Sequence, residues 1–291
     1  MASMKDIKRR RVSVQSTQQI TKAMKLVSTA KLQKARSRAE DSKAYFDCMY
    51  KTMTSLLAKA GNVNHPYVQS NGCANKAVVV VTSNRGLAGG YNSNIVKLIT
   101  GGDFDKETTR IYAVGGKGVE LLKHRGYNIV KDYSEMIDAP TYENVRVITD
   151  QLLNDYINGE IGEIYLAYTF FKNTVSHIPT LMKVLPVEAS DADAGEEEEV
   201  SAIDKITPMN FEPEEEEAIK LLVPKYVSSI LYGAFVEAVA SENGARMQAM
   251  DSATSNAEEI INDLELKYNR ARQGAITQEL TEIIAGSEAI S

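Results

Sequence analysis

Few residues in this chain have the types and spacing that chemistry needs. Thr82-Ser83-Asn84-Arg85-Gly86-Leu87-Ala88-Gly89-Gly90-Tyr91-Asn92 is a glycine-rich turn between a β-branched run and a helical pattern. Backbone N–H groups at such a turn can cradle a phosphate. Its glycines do not fall as G-x-G-x-x-G, and no Gly-Lys-Ser/Thr follows. Gly115-Gly116-Lys117-Gly118 fails as well, because Val119 stands where a hydroxyl would have to hold magnesium. The plainer reading of the glycine-rich stretch is a tight strand-to-helix turn that needs positive φ.

The histidines His65, His124 and His177 lie far apart, without ligand spacing, and Cys48 and Cys73 make neither a zinc site nor a disulfide framework by themselves. No G-x-S-x-G elbow or H-E-x-x-H pair occurs. No catalytic residue, metal site or cofactor is therefore expected. Charge is the stronger signal. The net charge of −6 hides a polarity: residues 1–38 hold eleven Lys or Arg against Asp6 alone, and residues 188–217 hold thirteen acids against Lys205. The cluster Lys8-Arg9-Arg10-Arg11 suits a nucleic acid, an anionic membrane or an acidic protein. The absence of aromatics from residues 1–40 argues against base stacking.

The elements that carry these residues come in two kinds. Residues 1–60 contain no Gly and no Pro and are rich in helix formers. Ser3 can cap them, with Asp6 three residues on. Ile20, Met24, Val27 and Ala30 or Lys31 step as a helical seam. Such a helix is roughly 80–90 Å long, whereas a compact domain of this mass is on the order of 40 Å across, so it should project. After Pro224, which suits a helix's first turn, no proline recurs. Val227, Leu231, Ala234, Ala238, Ser241 and Ala245 form a stripe that Ala249, Ala253, Ala257, Ile260, Leu264, Tyr268, Ala271 and Ala275 continue. Two long helices with incomplete apolar faces should pair as an antiparallel coiled coil. Ile276, Leu280, Ile283, Ile284 and Ile290 should outrun the partner helix and be buried by another protein.

Between them, residues 76–82 read as a buried strand, 91–99 as a helix, 109–114 as a strand, 118–124 as a helix, 128–133 as a strand and 142–157 as a helix. Strands at 163–171 and 180–187 follow. Alternation of this kind argues a largely parallel sheet. The fold class is thus α/β: a long antiparallel two-helix coiled coil from the N- and C-terminal segments plus a central Rossmann-like α/β domain. The divisions are 1–60 (N-terminal coiled-coil helix), 75–187 (α/β domain), 188–217 (acidic loop) and 218–291 (C-terminal coiled-coil helix). The chain has 291 residues, mean hydropathy −0.26 and 7% aromatics without Trp, which suits a mostly aliphatic core. No run approaches the ~20 apolar residues of a membrane span, and the start reads as no secretory signal, so a cytosol-like compartment is expected.

Several blocks resemble one family. Ile7-Lys8-Arg9-Arg10-Arg11 with Ser16-Thr17-Gln18-Gln19-Ile20-Thr21-Lys22-Ala23-Met24-Lys25-Leu26-Val27 resembles the opening signature of the gamma subunit of F-type ATP synthases, the central rotor shaft. The turn at 82–90 is similar to that family's strand-to-helix loop. Met247-Gln248-Ala249-Met250-Asp251-Ser252-Ala253-Thr254-Ser255-Asn256-Ala257 and Tyr268-Asn269-Arg270-Ala271-Arg272-Gln273-Gly274-Ala275-Ile276-Thr277-Gln278-Glu279-Leu280 resemble its C-terminal signature. Ala88 stands where many members carry Cys, and the acidic segment is longer and more charged than the family pattern.

The resemblance implies a non-catalytic rotor subunit that passes the rotation of a membrane ring to beta subunits. Its partners would be the alpha and beta subunits of the catalytic hexamer, the epsilon subunit and the c-subunit ring. No nucleic acid is implied, and membrane contact comes only through the complex, at the cytoplasmic face of a bacterial cell membrane. By position, Met24 and Lys25 match the pair near the acidic lever loop of beta, and Arg272, Gln273 and Thr277 match the polar catch. Arg9 would face acidic beta loops. Two other readings stand beside this one: a nucleotide-binding α/β enzyme with a phosphate site at residues 84–90, and a basic coiled-coil adaptor for nucleic acid.

Overall fold

The computed structural model describes residues 4–60, 66–69, 71–187 and 215–288. The capping role of Ser3, His65 and the acidic segment through residue 214 lie outside the described residues. The chain divides into two compact units, Met1–Thr29 with Arg246–Ser291, and Ala30–Ala245. The long helices α1 (Met4–Ala60) and α5 (Glu215–Glu288) each contribute residues to both.

The second unit is built around β1 (Lys76–Val81), whose sequence is one alanine and four valines after a lysine. Such a strand suits a site buried on both faces, since branching at Cβ stiffens the side chain and packs well on a pleat. It lies at the centre of a five-stranded sheet, with β2 (Thr109–Val114) on one side and β4 (Glu163–Phe171) on the other, parallel to both. β3 (Asn128–Asp132) extends the sheet in parallel beyond β2, and β5 (His177–Leu185) closes the far edge antiparallel to β4. Alternate β1 residues serve two cores. Val78 and Val80 meet Ile95, Val96 and Ile99 of α2 (Tyr91–Thr100) and Leu122 of α3 (Gly116–His124). Ala77, Val79 and Val81 belong to a larger core with Ile148 and Leu152 of α4 (Tyr142–Ile157), Met53 and Leu56 of α1, and Val223, Val227, Leu231 and Phe235 of α5. Each fully buried branched side chain contributes about 1.5–3 kcal/mol, so the valine run anchors both layers.

Tyrosine supplies bulk where tryptophan is missing. Tyr112 and Tyr156 are among the largest fully buried side chains, and their hydroxyls are satisfied. Tyr112 donates to Asp155 at 2.5 Å, Tyr127 to the Phe104 carbonyl at 3.2 Å and Tyr156 to the Gln69 carbonyl at 3.3 Å. Burial first, and then the bond to Asp155, push the Tyr112 phenol well above its ordinary value.

The structure corrects several sequence expectations. Pro224 is inside α5 rather than in its first turn, and residues 215–217 are helical rather than part of a loop. Proline removes one backbone donor there, while the Pro224 carbonyl accepts from Ser228 Oγ at 2.8 Å. The last strand runs from His177 to Leu185, not 180–187. Pro179 is tolerated because β5 is an edge strand, and Pro186 has no N–H with which to continue the ladder. α3 begins at Gly116, two residues earlier than expected. By length and composition α5 also holds one stretch apolar enough to cross a membrane. Val223, Val227, Leu231 and Phe235 close the sheet core instead, and that burial accounts for the stretch.

The Gly115–Gly118 turn is a packing device. Gly115 has φ +124°, and a Cβ there would collide with the backbone oxygen of Thr82. A Cβ on Gly118 would meet Thr82 Oγ1 at 2.6 Å. Gly115→Ala should therefore cost about 2–4 kcal/mol, from strain and overpacking together, measured by urea unfolding. Thr82→Ala should relieve much of the cost of Gly118→Ala and little of that of Gly115→Ala, because a Cβ on Gly115 would still meet the Thr82 backbone after Oγ1 is removed and would still carry the strain of positive φ.

Candidate subunit interface

The first unit is a two-helix seam. Arg11 of α1 pairs with Glu265 of α5 at 3.5 Å, the Thr21 and Thr254 hydroxyls share a hydrogen bond of 2.8 Å, and Lys25 Nζ meets Asp251 at 2.5 Å. The residue numbers of each pair add to 275 or 276, so the helices are antiparallel and Met4 stands level with residue 271 or 272. Inward positions on α1 are Arg11, Val14, Gln18, Thr21, Lys25 and Ser28, stepping by 3 and 4 in turn. Those on α5 are Met250, Thr254, Ala257, Ile261, Leu264, Tyr268 and Ala271, with the same alternation. This is the 3.5-residue repeat of a coiled coil.

The expected seam of Ile20, Met24 and Val27 is one position off. Ile20 and Val27 are each 57% exposed, and the buried residues are Thr21 and Ser28. On α5 the same slip separates Ile260, which is exposed, from Ile261, which is buried. One residue is about 100° of helix rotation, so α1 turns much of its apolar bulk outward and packs its small and polar residues inward.

The six residues singled out from the sequence fall at separate stations. Arg9 is exposed and pairs locally with Asp6 at 3.2 Å. Met24 is half-buried beside Lys25, which is engaged across the seam by Asp251. Arg272, Gln273 and Thr277 are exposed together on α5, where Thr277 Oγ1 donates to the Gln273 carbonyl at 2.9 Å. From Asp251 to Arg272 is about 30 Å along the helix, so no single site gathers them. Beyond residue 272 α5 has no described α1 residue opposite it. There Ile276, Leu280, Ile283 and Ile284 are exposed, at spacings of 4, 3 and 1. Sequence reasoning missed Arg11, which also lies 5.9 Å from the Tyr268 ring centroid. Only its heptad position marks it out within the basic run. It missed the Thr21–Thr254 pair too, because threonine carries no signal for a seam. Exposed ion pairs contribute only about 0–1 kcal/mol, so Lys25–Asp251 fixes register more than stability.

The Gly115–Gly118 turn of the sheet unit does not form a phosphate cradle. Gly116 N–H donates to Asn84 Oδ1 at 2.9 Å, Lys117 N–H to the Ser83 carbonyl at 3.0 Å and Gly118 N–H to Thr82 Oγ1 at 2.9 Å. Ser83 N–H is taken by Asn92 Oδ1 at 2.9 Å. The donors that the Gly115–Gly118 turn would offer a phosphate are already engaged. Among the described residues no group of three His, Cys, Asp or Glu is placed to hold a metal ion.

An α/β sheet unit whose Gly115–Gly118 turn is internally bonded, and a heptad pair with apolar side chains turned outward, define a chain whose helix surface is suited to burial by other proteins. A family model described as ATP synthase matches residues 3–290. The chain is 60% identical over 291 residues to the ATP synthase gamma chain of Lachnoclostridium phytofermentans, covering all of both chains. It is 40% identical to the sodium ion specific ATP synthase gamma chain of Acetobacterium woodii, covering 99% of each. A chain in the Euglena gracilis mitochondrial ATP synthase shares the fold with TM-score 0.70 at 19% identity, covering 99% of this chain and 94% of that one. This chain belongs to the ATP synthase gamma chain family.

The engaged donors of Ser83 and of the Gly115–Gly118 turn carry a consequence. The purified chain should show no saturable binding of ATP below about 1 mM by calorimetry, a free energy near 4 kcal/mol. Saturation in the micromolar range would restore the phosphate-site reading.

Proposed function

We propose that this chain is the central-stalk rotor of a bacterial F-type ATP synthase. It would turn with a c-subunit ring and impose that rotation on the beta subunits of a hexamer of three alpha and three beta subunits. An epsilon subunit would join it on the rotor, and the assembly would sit at the cytoplasmic face of the cell membrane. The chain itself would break no bond and hold no cofactor. The observation that carries this reading is the outward apolar row of the coiled-coil unit: Ile20 and Val27 on α1, and Ile276 to Ile284 on α5. Apolar side chains left exposed on a helix pair are suited to burial by surrounding chains.

The mechanism follows from unequal burial. A shaft shifts a neighbour between two conformers only by contacting them unequally. Moving one subunit from about 1:9 to 9:1 needs about 2.5 kcal/mol of difference. One or two isoleucines buried against one conformer and exposed against the other supply that much. Because α1 and α5 present different side chains, each angle of the shaft would present a different contact set. Arg9 and its basic neighbours, with Met24 and Lys25, would meet acidic beta surfaces. Arg272, Gln273 and Thr277, freely exposed on one stretch of helix, would form polar contacts that change as the shaft turns.

Native mass spectrometry of this chain mixed with alpha and beta subunits from the same source should give one copy per three alpha and three beta. A chain that stays separate while the other subunits fold would sink the reading. Ile20→Asp with Val27→Asp should leave the melting temperature of the isolated chain within a few degrees, since both are exposed, yet reduce recovery of the complex at least tenfold. Arg272→Ala with Gln273→Ala should assemble normally and lower coupled ATP synthesis several-fold. Unchanged synthesis would remove those two residues from the coupling surface.

A further inference from the structure

The seam and the glycine turns leave a half-buried histidine unused. His177 opens β5 and stands opposite Phe171 of β4, with the ring centroids 6.0 Å apart. Its Nε2 is buried and has no hydrogen-bond partner. What the ring meets is α5: a Cβ placed on Gly244 would collide with His177 Nε2. Glycine at 244 is thus what lets the helix backbone lie against the imidazole. About one turn earlier, Ser241 Oγ donates to the Thr169 carbonyl at 3.0 Å and ties the same helix to β4. The contacts between the β4–β5 tip and α5 include a hydrogen bond that pH does not touch and an imidazole contact that it does.

We propose that the His177–Gly244 contact is an acid-release latch: the neutral imidazole packs against α5, and its protonated form leaves, freeing the β4–β5 tip. The proposal concerns the sheet unit alone and does not depend on the rotor reading. Protonation puts an N–H and a charge where neither an acceptor nor water reaches Nε2, a costly state for a buried polar group. Among the described residues no neighbouring charge offsets the effect of burial on the ring. β4 brings Phe171 and Thr169, neither of them charged, and Lys172 beyond them is exposed. α5 brings Gly244 and Ser241 and carries Glu237 and Glu242, both half-buried, with the field of Glu237 falling on Tyr168. Arg246 is turned about 200° around the helix from Gly244. Burial is what holds the His177 imidazole below its ordinary value. The sign follows. A histidine whose folded pKa is depressed gives its full contribution above its unfolded value, about 6.5, and loses it as pH falls towards the folded value, at up to tenfold per unit.

Hydrogen exchange on the full chain at pH 7.5 and pH 5.5, corrected for intrinsic rates, tests the latch. The amides of 171–178 and 239–245 should open about five- to tenfold more at the lower pH, while those of α4 do not change. His177→Phe keeps a ring in place and does not titrate, so its opening should be flat across the same range. A pH-independent native protein, or the same pH response in His177→Phe, overturns the latch. Should that variant fail to fold, the His177 Cε1 proton of the native chain decides by NMR. A midpoint below 6.5 shared by the Gly244 amide supports the latch. A midpoint at or above 6.5, or a Gly244 amide that does not follow it, overturns it.

Discussion

Helix α5 has to satisfy two burial regimes in one continuous run, and much of the structure follows from that constraint. From residue 218 to 244 nearly every turn has buried or half-buried residues on most sides. The sequence there is accordingly apolar or small all round, with Ile219, Val223, Val227, Leu231 and Phe235 in the larger sheet core. From residue 250 onward one row is inward and the rest is wet, so the sequence changes to alanine and isolated aliphatics among Asp, Glu, Lys and Asn. A helix buried all round and a helix paired along one seam need different compositions, and α5 holds both without a break.

The same constraint explains the two glycines of its first half. A helix that lies flush against strands and another helix needs places where no Cβ intervenes. Gly233 admits the ring of Phe46, 3.3 Å from where its Cβ would be, and Gly244 admits His177. Glycine costs about 1 kcal/mol against alanine in a helix interior, a loss offset here by the close packing it allows. The sheet unit treats its turns alike: Thr82 lies against Gly115 and Gly118, so a motif that looks like phosphate chemistry is occupied by packing. Close approach of two backbones and close approach to a phosphate require the same residue, which is why the glycines alone do not separate the two.

The sheet was legible because its signal is intrinsic. A run such as Ala77 to Val81 has few alternatives to a buried strand, and the helices between strands keep a 3.6-residue pattern. The coiled-coil seam was legible only to within one residue. On α1 the apolar row Ile20, Met24, Val27 and the true row Thr21, Lys25, Ser28 run side by side with the same spacing. A rule that sends apolar residues inward selects the wrong one. That rule assumes the chain buries its own apolar surface, and it fails where the surface is meant for other chains. Pro224 misled for a related reason, since a proline inside a helix is tolerated when surrounding packing holds the helix together. The stations of Arg272, Gln273 and Thr277 came from resemblance, because exposed polar residues on a helix carry no pattern of their own.

The inverted seam bears on how such a helix pair is stabilised. An inward row of Val14, Gln18, Thr21, Lys25 and Ser28 buries little apolar area, and hydrogen bonds such as Thr21–Thr254 add only about 0.5–1.5 kcal/mol each. The seam specifies register and direction more strongly than it specifies stability. The larger apolar side chains, Ile20, Leu26 and Val27 on α1 and Ile276 to Ile284 on α5, are left for surfaces outside the chain. Surfaces that bury those residues would stabilise the folded pair by mass action. A pair whose register is set internally but whose stability comes largely from its surroundings holds its shape while the surrounding contacts are exchanged one for another, which is what a shaft turning among several neighbours has to do.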